Sequence, residues 1–223
     1  MLLRKLFILL LPGILWGGIT SSFLLLYLQA NVLTQVADIN SGHQLLCYEM
    51  PMKNKVQPTQ KEITMREDDF IVSKTDLKGR LTYANKIFVE FSGFTQTEIL
   101  NKQHNIVRHP DMPRAIFHLL WSTIQAGKEF NGYVKNMSKD GSFYWVFANV
   151  TPSYDNNKNI IGYYSVRRKA SQQALSVIEP LYQEMLTAEA NAGTKNAIEA
   201  STSILMAKAE QQGDGYDQFV LSL

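Results

Sequence analysis

The order of the predicted secondary-structure elements constrains the fold of this chain more than any other feature of its sequence. Apolar patterns predict two short strands and then three longer ones, over residues 70–74, 81–84, 130–137, 142–151 and 160–168. Between the second and third strands, apolar residues at 3–4 spacing predict several short helices over residues 85–127. This order favours an α+β fold, in which one antiparallel sheet carries its helices on one face.

Local signals indicate where the helices begin and end. Asn85 can cap the first helix, and Gly93 can end it. Thr95 and Glu98 have the spacing of a capping box, which predicts a second short helix over residues 98–101. Gly127 ends a longer helix that carries Ile116, Leu119, Leu120 and Ile124. The helical region is therefore divided into short pieces.

The run over residues 105–113 places several polar side chains in a stiff turn. Arg108, His109 and Asp111 lie within four positions of one another, and two prolines in the run restrict its backbone. Stiff turns with convergent polar groups are typical of binding sites. The alternative is that Asp111 caps the following helix, while Arg108 and His109 are solvated turn residues.

The composition and the motifs of the chain argue against several classes of protein function. The 22 basic and 20 acidic residues give a formal net charge of +2, so nucleic acid is not a predicted partner. The single cysteine, Cys47, allows no disulfide framework within one chain. The four histidines show no metal-ligand spacing with acidic partners. No phosphate-binding loop and no kinase or cyclase motif is present, so no enzymatic output is predicted.

The N-terminal residues differ from the rest of the chain. Residues 6–30 contain no charged side chain and are long enough to cross a bilayer. Two interpretations of residues 1–51 stay open, a membrane span and an upstream extension of a protein that starts at Met52. We favour a start at Met52, which predicts a cytoplasmic protein. Attachment to the membrane, at its inner face, is expected only if residues 1–51 are translated.

Residues 59–171 resemble a PAS domain, and more narrowly the sensory PAS domain of the bacterial aerotaxis receptors. The resemblance is carried by the run His104 to Pro113, by Val134-Lys135-Asn136 and by Tyr144-Trp145-Val146, with Trp121 between them. It implies the PAS fold, a five-stranded antiparallel sheet with short helices on one face, followed by C-terminal helices.

The resemblance also implies a cofactor. In that family the PAS domain holds FAD non-covalently, and the redox state of the flavin is the signal. By the family motif, the residues expected to retain the flavin are Arg108, His109, Asp111 and Trp121. Asn136 is a further candidate, as the residue that reports reduction of the flavin. Asn85 and Tyr144 are weaker candidates for flavin binding. Strand alternation predicts that Asn136 shares a face with Val134, and an amide there can both donate to and accept from the polar edge of a flavin. The alternative register would turn Asn136 to solvent.

Two other classes of PAS domain stay open, and one is excluded. A haem-binding PAS domain needs an axial ligand, for which His104, His109 and His118 are available. A cofactor-free PAS domain would serve only for docking or dimerisation. Flavin photoadduct chemistry needs a cysteine beside the flavin, and Cys47 lies outside the domain. One departure from the family is Phe130, where tryptophan is frequent.

Residues 172–223 are predicted to be helical. Pro180 is expected to kink the first helix or to start a new one, and residues 192–194 are expected to interrupt it. We interpret this region as an output element that contacts chemotaxis or other signalling proteins, or a second copy of the chain in a homodimer. The alternative is a solvated tail.

Overall fold

A computed structural model describes residues 56–212 and 215–223 of the 223-residue chain. Within this part, five strands form one sheet, and they are β1 (Ile71–Thr75), β2 (Leu81–Ala84), β3 (Phe130–Met137), β4 (Phe143–Tyr154) and β5 (Ile160–Lys169). The strand order is β2-β1-β5-β4-β3, and every neighbouring pair is antiparallel. The α+β prediction with a five-stranded antiparallel sheet is confirmed, and β4 continues three residues beyond its predicted end.

Helices occupy the segment between β2 and β3 and the region after β5. They are α1 (Lys86–Ser92), α2 (Gln96–Ile99), a 3₁₀ helix (His104–Val107), α3 (Arg114–Gln125), α4 (Gln172–Gln212) and α5 (Tyr216–Ser222). The Asn85 side chain caps α1, and Gly93 ends it with a φ of 69°. Both bonds of the Thr95–Glu98 capping box are present, although α2 begins at Gln96 rather than at Glu98.

The two faces of the sheet carry different helices. Tyr144 on β4 contacts Phe91 of α1, and Tyr163 on β5 contacts Trp121 of α3, so the short helices cover this inner face. Trp145, the next residue on β4, points to the outer face and contacts a ring on α4. The core therefore has two layers, and the predicted placement of the short helices on one face is confirmed.

The helix α4 consists of two helical segments. Gly193 has φ 71° and ψ 170°, so the helix breaks there, within the predicted interruption at residues 192–194. Pro180 lies inside the helix, so of the two alternatives predicted for it a new helix start is not observed. The second segment presents Ala197, Ser201, Leu205 and Ala209 as a buried stripe at four-residue spacing.

The C-terminal helices cover the free edge of the sheet. The hydroxyl of Tyr182 on α4 donates to the carbonyl oxygen of Tyr133 at 2.8 Å. The hydroxyl of Tyr216 on α5 donates to the carbonyl oxygen of Asn131 at 2.9 Å. Both carbonyls belong to β3, the edge strand, whose outward polar groups would otherwise be open to pairing with another chain.

Across residues 56–212 and 215–223, no helix combines the length and the apolar character that a membrane crossing requires. The hydrophobic segment 6–30 and the two interpretations of residues 1–51 lie outside the described residues.

Candidate functional site

The polar turn after the 3₁₀ helix places Arg108 against α3. The Arg108 guanidinium lies 4.1 Å from the ring centre of Phe117, and its Nη2 donates to the carbonyl oxygen of Met112 at 3.1 Å. Burial lowers the pKa of Arg108 to about 10, and the nearby charge of Glu189 on α4 opposes that shift. Arg108 therefore braces the turn against the helix that follows.

His109 and Asp111 lie on the opposite face of the sheet from Asn136 and Tyr144. The ring centres of His109 and Phe143 lie 5.9 Å apart in an edge-to-face contact. Asp111 forms an ion pair with Lys135, with 2.9 Å between Oδ2 and Nζ. Phe143 and Lys135 each precede an inner-face residue on their strands, so alternation puts them on the outer face.

His109 is held by burial and by its neighbours in the turn. Its Nδ1 accepts a hydrogen bond from the backbone N–H of Asp111 at 3.1 Å, and its Nε2 is buried without a partner among the described residues. Burial, and then the charge of Lys135, lowers the pKa of His109 to about 4. The ring is therefore neutral at physiological pH. The alternative that Asp111 caps α3 is wrong, because its carboxylate is paired with Lys135 and no cap bond forms.

The inner face holds a buried polar cluster that the sequence analysis did not predict. Arg167 on β5 donates from Nη1 to Ser73 Oγ at 3.1 Å, and its Nη2 lies 2.7 Å from His104 Nε2. Arg167 is 6% exposed, and no carboxylate pairs with it in the part of the chain that the structure describes. A buried guanidinium without a carboxylate partner is rare, because desolvation of the charge is costly.

The geometry fixes the protonation of His104. A guanidinium can only donate, so His104 Nε2 must accept, and the ring is neutral with its proton on Nδ1. Burial, and then the charge of Arg167, holds the pKa of His104 well below its usual value. Burial likewise lowers the pKa of Arg167 to about 10 and raises the pKa of the nearby Tyr144 hydroxyl. The cluster therefore combines one cation with neutral polar groups.

On the inner face of the sheet, Arg167 has a small cross-strand neighbour in Ala148 on β4 and a bulky one in Ile71 on β1. Gly132, Ala148 and Arg167 lie side by side across β3, β4 and β5. Ser165, two residues before Arg167, has a buried hydroxyl without a partner among the described residues. Strong donors and an unsatisfied hydroxyl beside small residues are suited to a flat ligand with several acceptor atoms. These polar groups match the donor and acceptor chemistry of a flavin, while the space beside Gly132 is filled by the Phe130 ring and the Tyr216 hydroxyl, 2.7 and 2.8 Å from where a Cβ would stand.

Among the predicted residues, Asn136 and Tyr144 belong to this inner face. They are direct cross-strand partners on β3 and β4, and both are buried. The prediction that Asn136 shares a buried face with Val134 is confirmed. Trp121 also lies on this face, where its ring contacts Tyr163 edge-on at 5.5 Å. Their roles in flavin binding stay predictions.

The Asn85 side chain is engaged in hydrogen bonds to the backbone. Its Oδ1 accepts from the backbone N–H groups of Val72 and Phe88, both at 3.0 Å, and its Nδ2 donates to the carbonyl oxygen of Phe70 at 2.7 Å. These bonds join β1 to the start of α1. Phe130, where the family often has tryptophan, is buried and stacks on Tyr216 of α5 at 5.8 Å.

A cavity of about 210 Å³ lies elsewhere on the described part of the molecule. It is lined by Ile63, Thr64, Arg66, Asp69, Glu90 and Phe91. Neither the predicted site residues nor Arg167, His104 and Ser73 are among its lining residues.

A signal for Arg167 was available in the sequence. Tyr163, Ser165 and Arg167 alternate along the predicted strand 160–168, so a buried Tyr163 also implies a buried Arg167. The contact of His104 with Arg167 has no local signal, because it bridges 63 positions in the sequence.

Comparisons with known proteins agree with this fold. The family model for the PAS fold matches residues 81–167. The aerotaxis receptor of Escherichia coli (strain K12) is 42% identical over 127 residues, which are 57% of this chain and 25% of the receptor. The nitrogen fixation regulatory protein of Klebsiella pneumoniae is 27% identical over 100 residues, which are 45% of this chain and 20% of that protein. A solved light-oxygen-voltage domain, described with a flavin analogue, is 19% identical with a TM-score of 0.45, covering 52% of this chain and 86% of that one.

The chain spans a quarter or less of the length of these two curated relatives, so the similarity concerns one domain of each. The resemblance drawn from the motifs around Arg108, Asn136 and Trp145 is thereby confirmed. The chain contains a PAS signal-transduction sensor domain that is related to the aerotaxis receptor of Escherichia coli.

Proposed function

We propose that this PAS domain binds FAD non-covalently on the inner face of its sheet and reports redox or oxygen state through protein contacts, in aerotaxis or related chemotaxis signalling. The observation that carries the proposal is the buried Arg167, which donates to His104 and Ser73 and has no carboxylate partner within the described residues. The 42% identity to an aerotaxis receptor supports the same conclusion.

The residues of the inner face supply what a flavin would need. Arg167 offers planar N–H donors, which suit carbonyl oxygens and anionic ring atoms. His104 offers a neutral ring, and Ser165 offers a hydroxyl that can donate or accept. FAD, when bound, would supply the exchange of electrons, which these side chains cannot perform. Arg108 and Trp121 are assigned to retention of the cofactor by the family resemblance.

Asn136 is suited to pass a change in hydrogen bonding from the inner face to the C-terminal helices. It lies on β3, the strand whose Tyr133 carbonyl accepts the hydroxyl of Tyr182 on α4. A shift of β3 would therefore act on the contact between the sheet and α4. We propose that α4 has two packing arrangements, and that signalling proteins or a second copy of the chain recognise one of them.

One absorption spectrum of the purified chain tests the cofactor. Paired flavin bands are expected after incubation with FAD and removal of unbound cofactor. A Soret band would show haem instead, and a colourless chain that takes up no FAD would favour a docking module and refute the proposal.

A pair of neighbouring variants tests the site. Arg167→Met is expected to lose flavin, because it removes the buried donors of the inner face. Arg168→Met is the matched control, since Arg168 is exposed and its guanidinium lies over Phe147 on the outer face, 4.8 Å from the ring centre. Equal flavin retention in both variants would contradict the assignment of Arg167.

Crosslinking tests the output. A cysteine pair that joins the α4 segment near Tyr182 to β3 should crosslink with different yields in oxidised and reduced samples. Identical yields in the two states would refute the proposed movement of α4.

A further inference from the structure

No residue close in sequence caps the N-terminus of helix α3. The residue before it is Pro113, whose side chain makes no capping hydrogen bond. Asp111, the nearest local acceptor, is engaged with Lys135. The first N–H groups of a helix have no partner within the helix, and leaving them unpaired when buried is costly. The acceptor must therefore come from another part of the chain.

Glu189 on α4 supplies that acceptor. Its Oε1 accepts hydrogen bonds from the backbone N–H groups of Arg114 at 2.7 Å and Ala115 at 3.4 Å. The hydroxyl of Ser201, on the second segment of α4, donates to the same oxygen at 2.7 Å. Glu189 is only 9% exposed, and a negative charge at the N-terminus of a helix is favourable. A carboxylate 75 positions along the chain therefore completes α3.

The same contact reaches the turn that carries the family motif. The turn ends at Pro113, directly before the two residues that Glu189 binds. Arg108 in the turn rests on Phe117 of α3, and the charge of Glu189 acts on the Arg108 guanidinium. Withdrawal of Glu189 would free the first amides of α3 and remove an opposite charge from the surroundings of Arg108. Both changes would loosen the turn.

We propose that Glu189 is a positioning residue through which the docking of the C-terminal helices holds the turn over residues 105–113, whose Arg108 is bridged to Asn136 of the inner face. This inference rests on the proposed function, and it names the contact through which α4 regulates the same site. Coupling between two binding events is reciprocal. Docking of α4 therefore strengthens cofactor binding, and cofactor binding strengthens the docking of α4.

The variant Glu189→Gln in the full chain tests the coupling, with Glu184→Gln as the matched control, an exposed glutamate on the same helix. Hydrogen exchange at the amides of residues 114 and 115 reports the cap without any cofactor. We expect that exchange to accelerate about tenfold in Glu189→Gln, because the variant keeps an acceptor oxygen but loses the negative charge at the start of α3. We expect the Kd for FAD to rise by a similar factor, and both readouts to stay at wild-type values in the control.

Because the coupling is reciprocal, FAD binding should in turn affect hydrogen exchange at the start of α3. A cap with a purely structural role would show no such effect of FAD. Saturating FAD should slow exchange at residues 114 and 115 in the wild-type chain and have a much smaller effect in Glu189→Gln. Ser201→Ala keeps the carboxylate and removes one of its bonds, so it should change both readouts in the same direction by less. This milder variant carries the test if Glu189→Gln does not fold.

The outcomes separate the two proposals. A wild-type chain that binds no FAD overturns the proposed function, whatever the exchange data show. Wild-type FAD binding, with faster exchange but an unchanged Kd in Glu189→Gln, overturns only the coupling. Unchanged exchange at residues 114 and 115 in the variant would show that the charge of Glu189 does not hold the start of α3, which also overturns the coupling.

Discussion

The neutral state of His104 leads to a measurable dependence of stability on pH. The folded protein holds the pKa of His104 well below its usual value of 6.5, and it holds the pKa of His109 at about 4. In the unfolded chain both rings bind a proton as the pH falls through about 6.5. The unfolded state then carries protons that the folded state excludes, so acidification favours unfolding.

The size of the effect follows from the two pKa shifts. Between about pH 7 and about pH 5.5, each buried ring should remove about 1 kcal/mol from the free energy of unfolding, and the two together about 2 kcal/mol. Carboxylates with lowered pKa values, such as Glu98 at about 2, lose their contribution only below about pH 5, near the pKa of an unfolded carboxyl group. The change in stability between about pH 7 and about pH 5.5 therefore reports the two histidines rather than the carboxylates.

Urea denaturation of the full chain without added flavin, followed by tryptophan fluorescence at several pH values, measures this dependence. His104→Gln keeps an acceptor for Arg167 and cannot take up a proton, so the loss on acidification should fall to about half. His109→Gln should have a similar effect, and the double variant should remove most of the dependence. His118→Gln, at an exposed position on α3, controls for the substitution itself.

The result that would refute the reasoning is an unchanged loss of stability in His104→Gln. The ring would then carry the same charge in the folded and unfolded states, and it could not accept a hydrogen bond from Arg167. The interpretation of the inner-face cluster as one cation among neutral polar groups would fail with it.

Three further predictions concern stability and use the same denaturation assay. Asn85→Ala should cost about 2 kcal/mol without flavin, because it removes the cap of α1 and bonds to β1; a change in flavin affinity alone would show a ligand role instead. Gly193→Ala should cost about 1–3 kcal/mol through its backbone conformation, since a Cβ there meets no atom within 4 Å; unchanged stability would mean that α4 does not break at this residue. Tyr182→Phe should cost about 1 kcal/mol by leaving the Tyr133 carbonyl unpaired, and a neutral result would show that this edge of β3 is open to water.

The sequence predicted the elements whose causes are local. The strands follow from alternation within a few residues, and the ends of α1 follow from Asn85 and Gly93, which act on amides and carbonyls only three or four positions away. The break at Gly193 was found for the same reason. The boundaries that failed are those of short elements such as α2, where a capping signal fixes the first turn but not the first residue.

The contacts that the sequence did not predict join distant parts of the chain. Arg167 meets His104 only because the register of β5 in the sheet and the position of the 3₁₀ helix are both set by the whole fold. The turn around His109 was identified, but its side chains could not be assigned to a face of the sheet without knowing how it meets β3. Family motifs identified the residue types, while packing decided which of them share a site.

The C-terminal helices complete the PAS domain rather than merely following it. Tyr182 and Tyr216 satisfy carbonyls on the edge strand, and Glu189 satisfies amides at the start of α3. These contacts lie on both layers of the core, so displacement of the C-terminal helices would expose polar groups in the sheet and in the helical layer together. Because an unpaired buried polar group costs about 1–3 kcal/mol, these contacts would together favour the docked arrangement in the proposed switch. In the proposed function, an output element built in this way would respond to changes on either side of the domain.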